Sequence, residues 1–355
     1  MKLLMIIPSL GSGGAERVIS SLANDWVVKR KCELHMVIFT DTKDFYKINR
    51  DIKVYRLNYN SNSKNKIFCL INLILQLRKI IININPDVCL SFLRESNILI
   101  IIASLGLNKK IFISERDSPL TSIPQYYKIL RKKLYPLATG IIAQTMDYKF
   151  FIDNEINASK SVVIPNPIRE INTLDLNREK IIVNVGRLVP EKGQKYLLEA
   201  FALCKKRQGW KLVLVGDGVL RSILEKKVKD LDLSGQVFLV GKSNNVDDWL
   251  VKSSIFAFSS ISEGFPNALA EAMSAGLPCV SFDCVTGPSD LIEHGTNGFL
   301  VETKNIQKFS EYLDLLMEKE ELRESIGLQA KLMSKRLNFD VISDQYFKYI
   351  SGTGS

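Results

Sequence analysis

Ser259-Ser-Ile-Ser-Glu-Gly-Phe-Pro-Asn-Ala-Leu-Ala-Glu-Ala-Met-Ser-Ala-Gly276 is the stretch from which the fold of this chain is inferred. It lies between two short apolar runs, Ser254–Phe258 and Pro278–Phe282, which are typical of buried parallel strands. Pro266 suits the start of a helix, and Ala268–Ala275 is rich in residues that favour one. The pattern predicts a strand, a loop, a short helix and a second strand.

Two carboxylates mark this stretch. Glu263 lies in the predicted loop, and Glu271 lies inside the predicted helix among small and apolar neighbours. A carboxylate on a helix between two buried strands is expected to face a cleft and bind a ligand there. The alternative is a glutamate on the solvated face of the helix, since surface glutamates are common.

The rest of the chain repeats the alternation of strand and helix. Its 355 residues suggest about two domains of roughly 150 residues each. The alternation predicts the α/β class, with two doubly wound parallel sheets. Pro165-Asn-Pro167 interrupts the pattern, so we predict an N-terminal domain over residues 1–166 and a C-terminal domain over 167–337. Residues 338–350 are expected to form a helix that packs back on the first domain, and 351–355 a disordered tail.

Charge and cysteine usage limit the partners and the compartment. The net charge is +10, and residues 1–170 carry 25 Lys and Arg against 14 Asp and Glu. This asymmetry favours an anionic partner for the first domain. Nucleic acid is not expected, because no recognisable nucleic-acid-binding motif is present. The six cysteines show no CxxC spacing, and the first eight residues do not resemble a signal peptide, so a reducing, cytoplasmic location is predicted.

Two predicted helices suit a membrane surface. Residues 64–83 are very apolar but are interrupted by polar side chains too often to span a bilayer. They form either a buried core helix or a face lying on a membrane. Residues 124–138 have a basic, aromatic middle, which is either a solvated face or an interfacial contact with anionic lipid.

Two loops have the chemistry of phosphate sites. Gly13 and Gly14 follow the first strand and open a helix, where free backbone N–H groups favour anions; the alternative is a tight structural turn. The dinucleotide fingerprint GxGxxG fails there, because Glu16 replaces its last glycine. In the second half, Arg187 and Lys192 flank a Pro-containing loop at a helix start, and two cations there predict a diphosphate site.

Taken together, these motifs resemble the retaining GT-B glycosyltransferases of glycosyltransferase family 4. The resemblance rests on four pieces in order: Gly13-Gly-Ala-Glu-Arg17, Gly186-Arg-Leu-Val-Pro-Glu-Lys-Gly193, Val215-Gly-Asp-Gly218 and Ser262-Glu-Gly-Phe-Pro followed by Glu271-Ala. It covers nearly the whole chain and is closest to bacterial enzymes of surface polysaccharide and lipid-linked oligosaccharide synthesis.

The resemblance implies two Rossmann-like domains facing a central cleft. It implies transfer of a hexose or N-acetylhexosamine from a nucleotide-sugar, expected to be a UDP-sugar, to a saccharide that is expected to be lipid-linked. The enzyme would be peripheral on the cytoplasmic face of the inner membrane and would need no metal and no cofactor. The catalytic residues it implies are Arg187, Lys192 and Glu263, and the donor-binding residues are Gly13, Gly14, Gly186, Arg187, Lys192, Gly264, Phe265, Asn267 and Glu271.

The sequence departs from the resemblance at one place. Where many relatives carry a histidine near the sugar, this chain has Ser114-Glu-Arg-Asp117, which makes Arg116 and Asp117 candidate contacts of the sugar or acceptor. Asp230-Leu-Asp232 matches a bare metal-binding DxD, but its lysine-rich helical surroundings favour a solvated face.

Three alternatives compete with the transferase hypothesis. A GT-B nucleotide-sugar epimerase would need several ionisable groups at the sugar, which a chain with two histidines supplies poorly. A non-catalytic sugar-nucleotide-binding protein would bind donor without releasing nucleotide. A dinucleotide dehydrogenase is disfavoured by the failed glycine fingerprint.

Overall fold

A computed structural model describes all residues except 12, 30, 42, 58, 60–64, 117, 120, 157–159, 173–177, 244 and 353–355. The chain divides into two compact units. The N-terminal unit contains Met1–Pro167 and Asp340–Ser355, and the C-terminal unit contains Ile168–Phe339. Predicted site residue Asp117 lies outside the described residues, as does the end of the predicted tail.

A seven-stranded parallel sheet forms the centre of the N-terminal unit, in the order β3-β2-β1-β4-β5-β6-β7. The strands are β1 (Lys2–Ile7), β2 (Glu33–Ile38), β3 (Lys53–Arg56), β4 (Val88–Phe92), β5 (Lys110–Ser114), β6 (Gly140–Ala143) and β7 (Ser161–Val163). The helices are α1 (Gly14–Val28), α2 (Lys66–Ile84), α3 (Arg94–Ala103), α4 (Gln125–Leu134), α5 (Met146–Phe151) and the C-terminal α13 (Phe339–Ser351).

Apolar strands explain why this sheet is covered by helices. β1 and β4 are buried almost throughout, as expected for parallel strands with both faces packed. Side chains of α2, α3 and α5, such as Leu77, Ile100 and Tyr148, share one core cluster with Leu4 of β1. Helix α13 instead packs on α1, so the end of the chain belongs to the first unit.

A six-stranded parallel sheet forms the centre of the C-terminal unit, in the order β10-β9-β8-β11-β12-β13. The strands are β8 (Ile181–Val185), β9 (Lys211–Val215), β10 (Val237–Gly241), β11 (Ile255–Phe258), β12 (Cys279–Asp283) and β13 (Phe299–Glu302). The helices are α6 (Gln194–Leu203), α7 (Arg221–Asp230), α8 (Val246–Lys252), α9 (Asn267–Ser274), α10 (Pro288–Leu291), α11 (Ile306–Glu318) and α12 (Glu320–Ser334).

The strand orders place a topological switch point in each sheet. In the C-terminal unit the chain runs outward from β8 to β10 and then returns to the other side of β8 as β11. In the N-terminal unit the same reversal falls between β1 and β4. Loops at the carboxyl ends of the strands diverge at such points and leave a crevice, where open α/β sheets bind their ligands.

The α/β class and the parallel, doubly wound sheets are confirmed, and several details differ from the prediction. Strand β13 and helix α5 were not predicted. Arg131, predicted on the basic face of α4, is turned inward and donates to the Tyr148 hydroxyl at 3.0 Å. Helix α13 extends to Ser351, the first residue of the predicted disordered tail.

Trp26 gives a test of the packing between α1 and α13. Its indole N–H donates to Ser343 Oγ at 2.9 Å, and its ring meets the edge of Phe347. We expect Trp26→Ala to lower the free energy of unfolding by about 3–5 kcal/mol, because a fully buried aromatic side chain leaves a cavity. Urea unfolding followed by circular dichroism measures it. Trp26→Phe, which keeps most of the ring volume, is the control, and equal losses in the two variants would contradict the packing argument.

Candidate functional site

An ion pair joins the loops that follow the two central strands of the C-terminal sheet. Lys192 lies in the loop after β8, and Glu263 lies in the loop after β11. The Lys192 Nζ atom is 2.5 Å from Glu263 Oε1, and the carboxylate side chain is only 9% exposed. Since β8 and β11 flank the switch point, sequence-distant charges meet where a ligand crevice is expected.

Backbone contacts hold these two loops together. The amide of Ile261 donates to the carbonyl of Glu191 at 2.8 Å, and Ser259 Oγ donates to the carbonyl of Lys192 at 2.9 Å. Gly193 has a left-handed φ of 61°, and a Cβ there would overlap the carbonyl oxygen of Ser259. Glycine at 193 therefore permits both the turn into α6 and the close approach of the second loop.

The other predicted residues of the β8 loop lie beside the ion pair. The stem of Lys192 lies over Gly186, and its Cδ would be at an ordinary contact distance of 3.5 Å from a Cβ at that glycine. Arg187 follows it with an exposed side chain, while its carbonyl accepts a bond from Gln194 Nε2 at 2.9 Å. The loop thus carries two cations, one paired with a carboxylate and one facing solvent.

Helix α9 carries the second glutamate. Glu271 is 7% exposed, in contrast to the solvated alternative considered from the sequence. Arg178, which the sequence did not single out, donates to the carbonyls of Ala275 and Ser253 at 2.7 and 2.5 Å. It therefore satisfies backbone acceptors at the ends of α9 and α8. Burial lowers the pKa of Arg178 to about 10, so it remains charged at neutral pH.

The turn between Glu263 and α9 is tightly packed. Phe265 is buried, and Gly264 is half-buried. The amide of Asn267 donates to the carbonyl of Phe265 at 2.9 Å. The backbone N–H of this residue, which is predicted to contact the nucleotide-sugar, therefore already has an acceptor within the protein. Nearby, burial first and the charge of Glu263 second raise the pKa of the Cys284 thiol to about 12, which keeps it protonated.

The predicted site residues of the N-terminal unit do not form one cluster comparable to the ion pair of the C-terminal unit. Gly13 caps α1, and the carboxylate of Glu16 lies against it. Arg116 stacks 3.9 Å from the centre of the Phe92 ring, and its terminal nitrogens donate to Asn166 Oδ1 and, at 2.8 Å, to the Tyr346 hydroxyl. Burial lowers the pKa of Arg116 from its usual value. These bonds connect the segment after β5 to Asn166, near the end of the first segment of the unit, and to α13.

Among the described residues, no group of three or more His, Cys, Asp or Glu side chains could hold a metal ion. Asp230 and Asp232 are both exposed. The loop after β8 and the segment after β11 together supply two cations, two carboxylates with low exposure and the backbone groups of a tight turn.

Comparison with known proteins identifies similar sequences along the whole chain. The family model "Glycosyl transferases group 1" matches residues 168–333, which include both glutamates and both cations. An N-acetylgalactosamine-N,N'-diacetylbacillosaminyl-diphospho-undecaprenol 4-alpha-N-acetylgalactosaminyltransferase from Campylobacter jejuni is 30% identical over 370 residues, covering 99% of this chain and 100% of that protein. A second Campylobacter jejuni enzyme, GalNAc-alpha-(1->4)-GalNAc-alpha-(1->3)-diNAcBac-PP-undecaprenol alpha-1,4-N-acetyl-D-galactosaminyltransferase, is 28% identical, covering 99% of this chain and 98% of that protein.

Solved structures share the fold. The apo form of the lipopolysaccharide outer core galactosyltransferase WaaB matches with a TM-score of 0.80 and 22% identity, covering 99% of this chain and 100% of that one. Anabaena HepE in complex with UDP and glucose matches with a TM-score of 0.79 and 21% identity, covering 99% of each chain.

Gly193 gives a test of the contact between the two loops. We expect Gly193→Ala to destabilise the protein by more than about 1–2 kcal/mol, the cost of left-handed backbone alone, because the added methyl also meets the Ser259 carbonyl. Gly209→Ala is the matched control, since Gly209 has a φ of 79° and nothing within 4 Å of an added Cβ. Urea unfolding of both variants measures the difference. Equal losses would show that the loops can separate without cost.

Proposed function

The chain belongs to the group 1 glycosyltransferases, and from that premise we propose that it is a retaining enzyme moving a hexose or N-acetylhexosamine from a UDP-sugar to a lipid-linked saccharide. The chain is a glycosyltransferase with the two-sheet GT-B fold, and its relatives act on lipid-linked sugars in polysaccharide synthesis. The observation that carries the proposal is the meeting of Lys192 and Glu263 at the switch point between β8 and β11.

Arg187 and Lys192 would bind the donor diphosphate. In the transfer step the bond between the anomeric carbon and the diphosphate oxygen breaks, and its electron pair stays on that oxygen. Fixed cations stabilise such developing charge in the transition state. Lys192 is already oriented by Glu263, which reduces the reorganisation required when the leaving group forms. The new bond joins the anomeric carbon to an acceptor hydroxyl oxygen, whose proton passes to the departing phosphate, so no protein base is required.

The two glutamates would contact different parts of the donor. Glu271, on α9 and little exposed, would accept hydrogen bonds from the ribose hydroxyls. Glu263, bound to the lysine that meets the phosphate, would contact the transferred sugar. Gly186, Gly264, Phe265 and Asn267 would form the surrounding cradle, and Gly13 and Gly14 remain predicted donor contacts. We propose that no metal or cofactor takes part.

UDP in the solved complex of Anabaena HepE supports the choice of nucleotide. The two Campylobacter jejuni relatives, named for undecaprenol-linked acceptors, support a lipid-linked acceptor. A nucleotide-sugar epimerase is disfavoured, because it would need no such acceptor. Asp117 remains a candidate acceptor contact, and Arg116 is a weaker one, since two of its nitrogens already bind protein groups.

Helix α2 supports a peripheral position on a membrane, and we propose that this is the cytoplasmic face. By length and composition it is the helix among the described residues that could cross a bilayer, yet only 22% of that apolar window is buried. Leu73, Leu77, Ile81 and Ile84 anchor the helix in the unit from Leu73 onward. Its first two turns contain no buried residue and expose Ile67, Phe68, Leu70 and Ile71. Such an anchored helix suits insertion of its free end into the headgroup region rather than spanning.

Helix α4 supplies the charges expected beside that apolar end. Lys128, Lys132 and Lys133 are exposed, as are Tyr126 and Ile129. Helices α2 and α4 both begin after a strand of the parallel sheet, β3 and β5, so both begin at its carboxyl edge. Lysines near an anionic leaflet contribute about 1 kcal/mol each. The same edge holds the crevice expected for the acceptor, which would place a lipid-linked saccharide near the bilayer.

The donor is tested by thermal unfolding with UDP, GDP, ADP or NAD. We expect UDP to raise the melting temperature, because a ligand at about 100 times its dissociation constant stabilises a protein by about 2.7 kcal/mol. Glu271→Ala should abolish the shift, while the exposed Glu321→Ala on α12 should keep it. Release of UDP from candidate UDP-sugars then identifies the donor. A shift with NAD, or a UDP shift indifferent to Glu271, would contradict the proposal.

The membrane surface is tested by co-sedimentation with vesicles containing anionic lipid. We expect Lys128→Gln, Lys132→Gln and Lys133→Gln together to weaken binding by about 3 kcal/mol, roughly a hundredfold, at low salt. Ile67→Asn, Phe68→Asn and Ile71→Asn should weaken it at high salt as well, since apolar insertion is not screened. Val219→Asn and Ile223→Asn are the controls, because these residues are equally exposed on the other unit. Unchanged partitioning of both test variants would rule out this surface.

A further inference from the structure

Thr286 lies in an unusual backbone conformation beside the ion pair. Its φ is 73°, in the left-handed region, and its side chain is completely buried. Among the described non-glycine residues with positive φ, it is the β-branched one. A β-branched residue is rarely found there, and such strain persists only where surrounding contacts impose it.

The contacts that impose the left-handed conformation of Thr286 come from the loop carrying Glu263. Thr286 Oγ1 donates to the carbonyl oxygen of Glu263 and also lies 2.6 Å from the carbonyl of Val285. The next residue, Gly287, has a φ of 112°, and a Cβ there would overlap the ring of Pro266. The loop after β12 is thus fastened to both ends of the segment from Glu263 to Pro266.

We propose that Thr286 is a positioning residue for the donor site, where its hydroxyl holds the backbone of Glu263 so that the carboxylate meets both Lys192 and the transferred sugar. The part concerning the sugar rests on the proposed function. Lys192 Nζ and the Glu263 carboxylate are 2.5 Å apart, and rotation of the Glu263 backbone would separate them. If Thr286 relaxed to a negative φ, its hydroxyl would leave the Glu263 carbonyl, which lies in a buried residue.

Three substitutions at Thr286 separate the effect of its hydroxyl from the effect of its backbone strain. Thr286→Ala removes the hydroxyl and keeps a Cβ at a left-handed position, Thr286→Gly removes the hydroxyl and relieves the strain, and Thr286→Ser keeps the hydroxyl. We expect the glycine variant to melt at a higher temperature than the alanine variant. Both should lose kcat for sugar transfer by about tenfold, the factor for one lost hydrogen bond, while the serine variant stays near wild type.

Binding of uridine, which lacks both the diphosphate and the sugar, distinguishes positioning from a merely structural role. Because Glu263 is assigned to the sugar and Lys192 to the diphosphate, the melting shift with uridine should be the same in wild type and in all three variants. Recovery of kcat in Thr286→Gly would overturn the proposal, since backbone conformation alone would then suffice. Wild-type kcat in Thr286→Ala would overturn it as well.

A double-mutant cycle tests the positioning without any substrate. Urea unfolding is measured for Thr286→Ala, Lys192→Met and the double variant. If Thr286 places the Glu263 carboxylate on Lys192, the two changes should be non-additive, because either one already disrupts the pair. Additive effects would reject the positioning role. Failure of wild type to bind UDP or to transfer sugar would instead count against the proposed function and would leave the cycle decisive.

Discussion

The ion pair between Lys192 and Glu263 is the interaction on which the site depends. Transfer of two charges from water into a partly buried crevice is unfavourable, and only good geometry offsets it. That geometry is supplied by neighbouring loops, through the Ser259 hydroxyl, the Ile261 amide and the absence of a side chain at Gly193. Apolar side chains of similar volume could fill such a place at little cost in stability, so the clearest role of the pair is what it presents to a ligand: an oriented ammonium beside a carboxylate with limited freedom.

The topology of parallel sheets explains why these groups meet although about seventy residues separate them. Strand β11 returns beside β8, so the loops following the two strands lie on the same edge of the sheet and diverge from a common point. The N-terminal sheet has the same reversal between β1 and β4, and α1, α3 and α4 begin at its carboxyl edge. The exposed first turns of α2 begin there too. One topological rule therefore accounts for the location of both the proposed donor-binding residues and the apolar surface.

The sequence predicted the strands well because buried parallel strands are short, continuous apolar runs bounded by turns. It missed β13, a four-residue strand directly after a turn, whose length carries little periodic signal. It placed Arg131 on a basic face, either solvated or in contact with lipid, since charge alone does not reveal that Tyr148, on another helix, offers a buried partner. The cations and glutamates were predicted from chemistry and spacing, and the structure brings Lys192 and Glu263 together. The φ of Thr286 and the backbone contacts of Arg178 could not be predicted, because both depend on long-range packing that a motif does not encode.

Glu16 shows how the two glycine-containing loops differ in their chemistry. In the N-terminal unit its carboxylate lies against Gly13 in the first turn of α1, where a negative charge is stabilised by the helix N-terminus. A phosphate at that position would face an existing negative charge. In the C-terminal unit the corresponding loop after β8 carries Arg187 and Lys192 instead. Electrostatic attraction for a diphosphate is therefore concentrated on the loop after β8, and Gly13 and Gly14 are suited to close backbone approach rather than to charge neutralisation. This division accounts for a glycine-rich loop that follows the first strand and yet lacks the dinucleotide fingerprint.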